Sequence, residues 1–294
     1  MRWRKVAILG VGLLGGSLGK ALRRRGLAVE VAGYVRREQT RREALESGAV
    51  DVAALELAPV LAGADLVVLC TPVAQMSHLI GELTPLLSPG ALVTDVGSVK
   101  AAVVSAAEEP IARAGAAFVG SHPMAGSERT GVLASREDLF CGAVTVVTPT
   151  PASDAAQVTR VEELWKSVGS RVLILTAERH DELVARSSHL PHLVAVSLAS
   201  YVLGPGHGPE QGMLCASGFR DTTRVASGSP EMWRDIALAN REAILAALDG
   251  FGNSLAELRS AVVRGDAAGL ESLLAATRER RERWNAGGCR TTGE

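Results

Sequence analysis

Residues 1–40 constrain the fold more than any other part of the chain. Residues 5–9 (KVAIL) form an apolar run suited to a buried strand, and a glycine-rich segment at residues 10–15 (GVGLLG) follows at once. A helical pattern over residues 16–25 and a second apolar run over residues 29–35 come next. Strand, glycine turn, helix and strand in this order predict a βαβ unit that binds a dinucleotide. The alternative is a glycine-rich turn in another kind of α/β protein.

Each glycine of this turn has a separate predicted role. Gly10 allows the tight turn, Gly12 lets the backbone approach a pyrophosphate, and Gly15 lets the helix pack closely on the strand. The start of the helix offers unpaired N–H groups and a partial positive charge to the phosphates. We therefore expect these glycines, with the intervening Leu13 and Leu14, to bind the cofactor.

Composition and charge argue against several classes of partner. The chain has 294 residues, of which 47% are hydrophobic and 21% are charged, so it can bury the core of one large domain or two ordinary ones. A net charge of −1 gives no electrostatic support for a nucleic-acid or membrane-surface partner. No apolar run reaches the length of a membrane span, and the N-terminus shows no signal-peptide pattern.

The four cysteines are far apart in the sequence and form no CxxC motif. They are Cys70, Cys141, Cys215 and Cys289. This spacing suggests neither a zinc site nor a redox pair, so we expect no bound metal. Free thiols fit a reducing compartment, and we expect a cytoplasmic protein.

Strand-like and helical patterns alternate up to about residue 176, which predicts βαβ units and a parallel sheet. Beyond the first unit, strands are predicted at residues 64–70, 91–96, 117–120, 143–148 and 171–176. Later patterns are helical, at residues 177–203, 231–248, 253–264 and 266–284. We predict an α/β fold with a doubly wound, mostly parallel Rossmann domain at residues 1–176. An all-α substrate and dimerisation domain follows at residues 177–294.

Polar segments follow several predicted strands, and open α/β sheets bind ligands beyond the carboxyl ends of their strands. Three of these segments are residues 70–73 (CTPV), 95–100 (DVGSVK) and 120–126 (GSHPMAG). The helical part adds residues 188–192 (SHLPH) and 218–224 (GFRDTTR). We expect the functional site to be built from these segments.

In this order, the segments resemble the motifs of the prephenate dehydrogenase family, which includes the arogenate dehydrogenases. The resemblance runs from Val6 to about Trp233. Its most specific parts are residues 120–128 (GSHPMAGSE) and 188–192 (SHLPH), whereas the chain after residue 250 matches only as further helix. The two predicted domains account for the chain, so we expect no fused chorismate mutase or regulatory domain.

The resemblance implies oxidative decarboxylation of prephenate to 4-hydroxyphenylpyruvate, on the route to tyrosine. A hydride leaves ring C4 for the nicotinamide, the 4-hydroxyl loses its proton, and the C1 carboxylate leaves as CO2. The family motif assigns the general base to His122, in the Gly-Ser-His-Pro turn, and histidine suits a base near neutral pH. Ser98 matches the serine that helps hold the hydroxyl and the histidine.

The resemblance also implies how the dianionic substrate is bound. Arg224 and His192 match family positions that supply cationic and donor groups, and an arginine fork suits a planar carboxylate. Four more residues are expected around the pocket: Ser188, His189, Ser127 and Glu128. By analogy with similar folds, we expect a homodimer formed through the helical domain.

Several alternatives stay open at this point. His122 could be a turn histidine before a proline, His189 and His192 could be satisfied core histidines, and Arg224 could pair with Asp221. Arogenate could replace prephenate as the substrate.

A non-catalytic nucleotide sensor is disfavoured because a base and a carboxylate-binding arginine are both present. A β-hydroxyacid or imine dehydrogenase is disfavoured because residues 177–203 lack the lysine that those enzymes use. Three histidines without motif support are interpreted as surface residues: His78, His180 and His207.

The end of the second strand decides which cofactor we expect. An NAD site normally has Asp or Glu there, to bind the ribose 2′-hydroxyl. Here Val35 takes that place, Glu30 lies at the strand's start, and Arg36 and Arg37 could hold a 2′-phosphate. Alternatively, Arg36 stacks on the adenine and Arg37 faces solvent. We predict that NADP is preferred and NAD is usable. The residues after the neighbouring strand complete the expected cofactor site: Thr71, Pro72 and Val73.

Overall fold

The computed structural model describes residues 2–127 and 129–286; Glu128 and Cys289 lie outside this part of the chain. Its largest element is a six-stranded sheet in the order β3-β2-β1-β4-β5-β6, with every pair parallel. The strands are β1 (Trp3–Leu9), β2 (Ala28–Tyr34), β3 (Val52–Ala54), β4 (Leu66–Leu69), β5 (Leu92–Asp95) and β6 (Ala117–Phe118). The predicted doubly wound Rossmann sheet is thus confirmed.

Helices connect these strands and cover both faces of the sheet. They are α1 (Leu13–Arg24), α2 (Glu38–Glu46), α3 (Leu57–Leu61), α4 (Val73–Leu83) and α5 (Ala101–Arg113). Val6 and Ile8 of β1 belong to one apolar cluster, whereas Ala7 and Leu9 belong to another. Because successive side chains of a strand point to opposite faces, both faces of β1 are buried. This double burial explains the uninterrupted apolar run of the sequence.

A second, three-stranded sheet follows, with β7 (Gly120–Pro123), β8 (Val144–Thr148) and β9 (Arg171–Ile174) in that order. β7 pairs antiparallel with β8, and helix α6 (Ala155–Ser167) connects β8 to its parallel neighbour β9. The prediction of a turn at Gly-Ser-His-Pro is wrong, because His122 pairs with Val146 in the β7–β8 ladder. The predicted base is therefore placed on a strand with a fixed side-chain direction.

All elements described after Thr176 are helical. They are α7 (Ala177–Val184), a π-helical turn (Ala185–His189), α8 (Leu190–Val202), α9 (Pro209–Met213), α10 (Ser217–Thr223), a 3-10 turn (Arg224–Ser227), α11 (Pro230–Ala239), α12 (Arg241–Arg264) and α13 (Ala267–Ala286). The helix predicted at residues 231–248 is two helices, broken at Asn240, whose φ of −112° and ψ of 34° leave the helical region. The predicted interruption near residue 250 is absent, since α12 continues through it.

Apolar burial is uneven between the two parts of the chain. The cluster of the helical part contains three buried side chains, Ala185, Ile244 and Ala247. No residue of α13 is buried within the described chain. Large apolar side chains are exposed along α12 at intervals of three, four or seven residues: Leu245, Leu248, Phe251, Leu255 and Val262. Such spacing gives a helix one continuous apolar face.

Among residues 2–127 and 129–286, no helix combines the length and the apolar character that crossing a membrane requires.

Candidate active site

The predicted site segments meet at the carboxyl edge of the parallel sheet. The strand order places β1 beside β4, with β2 and β3 on one side and β5 and β6 on the other. Chain connections diverge from this point, which opens a crevice beyond the strand ends. The glycine turn follows β1, and Thr71 follows β4 after one intervening residue, so the two segments flank this crevice.

The glycine turn is fixed by steric contact at two of its glycines. Gly10 has a φ of +102°, and a Cβ added to it would lie 2.8 Å from the carbonyl oxygen of Cys70. A Cβ on Gly15 would lie 2.2 Å from the carbonyl oxygen of Gly10. A Cβ on Gly12 would meet no atom within 4 Å, and no side chain caps α1 there. Space and free N–H groups at this helix start fit a phosphate.

The other predicted cofactor residues surround this turn. Leu13 and Leu14 begin α1 and pack against the apolar cluster below it. Thr71 lies against Gly10, and its buried hydroxyl has no hydrogen-bond partner within the described residues. Pro72 precedes α4 and Val73 is its first residue. Because buried hydroxyls are normally hydrogen-bonded, the Thr71 hydroxyl fits contact with a polar ligand group.

The end of β2 carries no carboxylate, and Val35 beyond it is buried. Arg36 and Arg37 are both exposed. The nearest acid, Glu38, accepts two hydrogen bonds of 2.7 Å from the guanidinium of Arg41. These bonds lower the pKa of Glu38 to about 2, so its carboxylate stays charged and paired. The carboxylate beside Arg36 and Arg37 on this turn, that of Glu38, is therefore already paired with Arg41.

His122 points from β7 toward the helical part of the chain. Its Nδ1 lies 2.8 Å from Nε2 of His180, and the two rings meet edge to face. The preceding residue, Ser121, is held by a 2.9 Å hydrogen bond from the buried indole of Trp165. The predicted base thus has a firmly held backbone and a histidine partner.

The interpretation of His180 as a surface residue is wrong, because its side chain is completely buried. Its Nδ1 lies 2.7 Å from Oδ1 of Asp181. The carboxylate of Asp181 also accepts the backbone N–H groups of Lys100 at 2.7 Å and Ala101 at 2.9 Å. Asp181 thereby caps α5 from the helical part of the chain. No motif marks His180 and Asp181; only their adjacency in the sequence could have drawn attention to them.

The order of these contacts determines which ring nitrogens carry protons. A carboxylate only accepts, so Nδ1 of His180 donates to Asp181. A neutral imidazole has a single N–H, so Nε2 of His180 accepts and Nδ1 of His122 donates. Nε2 of a neutral His122 is then left with its lone pair, which is the form that a general base requires.

The surroundings favour this neutral form of His122. The pKa of His122 is lowered well below 6.5, first by burial and then by the neighbouring His180, Lys100 and His189. The residue as a whole is nevertheless only half-buried, so part of its surface stays accessible. His122 therefore combines a free lone pair with access to a ligand.

Ser98 lies in the turn between β5 and α5 and is half-buried. The turn is fixed by a 2.8 Å hydrogen bond from the N–H of Gly97 to the carboxylate of Asp95. The same carboxylate accepts the N–H of Ser121 at 3.0 Å, which joins this turn to β7. The structure thus connects the segments of Ser98 and His122 through Asp95.

His189 ends the π-helical turn and is 1% exposed. Its Nδ1 lies 3.2 Å from Nδ2 of Asn240, which also donates to the carbonyl oxygen of Asp181 at 2.9 Å. Burial lowers the pKa of His189 to about 4. These contacts place His189 behind the histidine pair, where it joins α11 and α12 to α7.

His192 is buried in α8 and stacks on the indole of Trp233, with ring centroids 3.5 Å apart and planes 8° apart. Its Nδ1 has no hydrogen-bond partner within the described residues, and burial lowers its pKa. Gly228 borders both rings closely, since a Cβ there would lie 2.6 Å from the indole nitrogen. Arg224 is exposed and begins the 3-10 turn packed against α8. Trp233 was not among the predicted site residues, although it stacks on one of them.

The remaining predicted pocket residues differ in their settings. Ser188 is half-buried in the π-helical turn beside His189. Ser127 is exposed in the loop after β7, where its hydroxyl accepts the N–H of Arg129 at 3.1 Å. Glu128 follows it outside the described residues. The part of the chain that is described contains no group of three His, Cys, Asp or Glu side chains arranged to hold a metal ion.

Comparison with known families gives two adjoining matches. Residues 18–174 match the family described as prephenate dehydrogenase, nucleotide-binding domain. Residues 176–276 match prephenate dehydrogenase, dimerization domain. The first match covers more than half of the chain, and together they include all of the histidines discussed above.

Individual relatives agree with these matches. A cyclohexadienyl dehydrogenase of Zymomonas mobilis is 33% identical over 266 residues, which are 90% of each chain. A prephenate dehydrogenase of Bacillus subtilis is 34% identical over 267 residues, 90% of this chain and 72% of the relative.

A crystal structure of prephenate dehydrogenase from Aquifex aeolicus, in complex with hydroxyphenyl propionate and NAD+, superposes with a TM-score of 0.91. It is 35% identical, and the alignment covers 96% of this chain and 99% of that one. With the fold, the matched domains and the relatives in agreement, the chain belongs to the prephenate dehydrogenase family.

Proposed function

We propose that this chain oxidises and decarboxylates prephenate to 4-hydroxyphenylpyruvate, with His122 as the general base and NADP as the preferred cofactor. The observation that carries the proposal is the Asp181–His180–His122 chain of hydrogen bonds, which leaves a lone pair on the accessible histidine. Membership of the prephenate dehydrogenase family supports the substrate class.

The cofactor, when bound, supplies a nicotinamide ring that accepts the hydride. The N–H groups at the start of α1, with Gly10, Gly12 and Gly15, hold the pyrophosphate by hydrogen bonds and by the helix dipole. The hydroxyl of Thr71 offers a further polar contact at the crevice. Leu13, Leu14, Pro72 and Val73 shape the walls of this site.

Preference for NADP is supported by the end of β2. Val35 offers no carboxylate to the ribose 2′-hydroxyl, and Glu38 is already bound by Arg41. Arg36 and Arg37 are exposed and lie where a 2′-phosphate would approach. Each charge-assisted hydrogen bond to that phosphate contributes about 1.5–3 kcal/mol, which is roughly a 10- to 160-fold gain in affinity.

In the proposed reaction His122 accepts the proton of the substrate 4-hydroxyl on Nε2. His180 accepts the hydrogen bond from Nδ1 and stabilises the imidazolium that forms, while Asp181 fixes the tautomer of His180. Ser98, in the adjoining turn, holds the hydroxyl. As the proton leaves, the C4 hydride passes to the bound cofactor and the bond from C1 to its carboxylate breaks. CO2 departs, and the electron pair of that bond completes the aromatic ring.

The carboxylates of the substrate are bound from the helical part of the chain. Arg224 supplies the cationic fork, and His192 supplies a ring nitrogen that has no partner in the described chain. The stack of His192 on Trp233 fixes the orientation of that nitrogen. Four residues complete the proposed pocket: Ser188, His189, Ser127 and Glu128.

We also propose that the chain is a homodimer in which α12 and α13 pack against a second copy. A twenty-residue helix without one buried residue, α13 gains little stability from its own chain. The exposed apolar face of α12 offers a surface for the partner to cover. The matched dimerization domain spans both helices up to residue 276 and supports this arrangement.

A cofactor-reduction assay tests the reaction by combining prephenate or arogenate with NADP or NAD. We expect the highest kcat/KM with prephenate and NADP. A higher value with arogenate would reassign the substrate, and absence of reduction with either substrate would refute the proposed activity.

The cofactor preference is tested by changing Arg36 and Arg37 together to Ala. The KM for NADP should rise at least tenfold while that for NAD changes little, and the effect should be larger at low salt. A matched variant carrying Ala at the exposed Arg113 and Arg179 should keep the NADP preference. Unchanged NADP affinity in the first variant would rule out this assignment.

A further inference from the structure

Lys100 and Asp95 form an ion pair with no exposed surface, and the proton path proposed above uses neither side chain. Nζ of Lys100 donates to the carboxylate of Asp95 and, at 2.9 Å, to the carbonyl oxygen of Ser121. The cost of removing two charges from water largely offsets the attraction between them, so a buried ion pair is a poor source of net stability. The position of this ion pair therefore indicates a role other than stability.

The pair holds both peptide groups of the residue before His122. Asp95 accepts the N–H of Ser121 at 3.0 Å, and Lys100 donates to its carbonyl oxygen. Asp95 also accepts the N–H of Gly97 at 2.8 Å, which fixes the turn that carries Ser98. One ion pair therefore sets the backbone under both predicted catalytic residues of the Rossmann part.

Lys100 also contacts Asp181, the partner of His180, through its backbone. Its N–H donates to Oδ1 of Asp181 at 2.7 Å, the same oxygen that lies 2.7 Å from Nδ1 of His180. A shift of Lys100 would thus displace the His122 strand and the His180 partner together. Lys100 therefore contacts both arms of the histidine pair.

We infer that Lys100 is a positioning residue of the reaction. Its side chain fixes the segments of Ser98 and His122, and its N–H fixes the Asp181–His180 pair that partners His122. The inference rests on the proposed function for its kinetic consequences, whereas the effect on His122 itself can be measured without substrate.

The charge of Lys100 has an effect that is separate from its hydrogen bonds. The groups that face His122 are His180 and Asp181 from α7, His189 from the π-helical turn, and Lys100 with Asp95 behind β7. Among these, the positive charge of Lys100 lowers the pKa of His122 and so opposes its protonation. Loss of that charge should raise the pKa of His122.

The test compares two variants of the full-length protein. Lys100→Met combined with Asp95→Asn removes both charges together, which avoids an unpaired buried carboxylate. Lys100→Gln removes the charge and keeps two N–H donors, in a side chain that is one atom shorter. The control is Lys166→Met with Glu162→Gln, which removes an exposed lysine–glutamate pair on α6.

Three quantities are measured: kcat with prephenate, the pH profile of kcat/KM, and the His122 titration by proton NMR in the free protein. The His122 resonance is assigned as the signal that His122→Asn lacks. In the paired variant we expect kcat to fall about a hundredfold, as misplacement by roughly 1 Å would cause. In Lys100→Gln the acid limb of kcat/KM and the NMR titration should move to higher pH, whereas in the paired variant the loss of the opposite charge of Asp95 should offset this shift. KM for NADP should stay unchanged in both variants.

Unchanged kcat, pH limb and titration in both variants would overturn the inference. So would a lower melting temperature with unaltered kinetics, because the pair would then be structural only. If the paired variant does not fold, Lys100→Gln carries the test alone through the same measurements. Failure of the wild type to use prephenate would refute the proposed function, while the NMR titration would still report on Lys100.

Discussion

Replacing His180 by Phe should impair catalysis without unfolding the protein. Phenylalanine fills the volume of the buried ring but cannot accept the hydrogen bond from Nδ1 of His122. Asp181 keeps two of its bonds, from the N–H groups of Lys100 and Ala101, so the cap of α5 survives. The perturbation is therefore directed at His122.

The expected loss follows from the charge that develops on His122. When Nε2 takes the substrate proton, the 2.8 Å bond to His180 becomes charge-assisted. Such a bond contributes about 1.5–3 kcal/mol, and its absence from the transition state should lower kcat roughly 10- to 160-fold. Binding of NADP should be unaffected, because the cofactor residues surround the glycine turn.

Steady-state kinetics with prephenate and NADP check this expectation, with thermal unfolding as a measure of folding. His78→Phe is the matched control, since His78 is an exposed histidine on α4. A folded His180→Phe variant whose kcat stays within a factor of about two of wild type would refute the reasoning. A change of about 1.36 kcal/mol in the activation free energy already alters the rate tenfold, so loss of the bond must give a larger effect than that.

Five further outcomes are expected. His122→Asn should lower kcat by roughly 10²–10⁴-fold with little change in cofactor affinity. In the wild type, the acid limb of kcat/KM should lie below pH 6.5, because the base must be neutral and its pKa is lowered. Arg224→Ala should weaken substrate binding by about 2–5 kcal/mol, measured as a rise in KM and a fall in kcat/KM, and unchanged values would make Arg224 structural. Asp181→Ala and the matched cap variant Asp154→Ala, which affects α6, should each cost about 0.5–2 kcal/mol by denaturant unfolding, but only the former should lower kcat. The full chain should sediment as a dimer and the fragment 1–176 as a soluble monomer; a monomeric full chain at micromolar concentration would contradict the proposed interface.

The sequence predicted the fold well where long apolar runs settle it. The run at residues 5–9 lies in β1, and the glycine turn begins α1 as expected. Two short elements, β3 (three residues) and α3 (five residues), were not predicted, because so few residues show no periodicity. The break at Asn240 was missed for another reason, since it is supported by a tertiary hydrogen bond to the carbonyl oxygen of Asp181.

The candidate site was only partly predictable. Motif resemblance selected His122, Ser98 and Arg224. In the structure, His122 contacts His180, which is itself bonded to the carboxylate of Asp181. His180 carries no motif, and its burial arises from packing between segments 58 residues apart, which periodicity cannot reveal. Trp233 likewise gains its significance from stacking on a residue of a different helix.

The histidine pair spans two parts of the chain that belong to different matched domains. His122 lies on β7 of the first, whereas His180 and Asp181 lie on α7 of the second. A movement that separates α7 from β7 would disconnect the base from the group that stabilises its charge. In the proposed reaction, His122 therefore has its partner for proton acceptance only while α7 stays packed against β7. Substitutions that loosen this docking should slow turnover even when they lie far from the substrate.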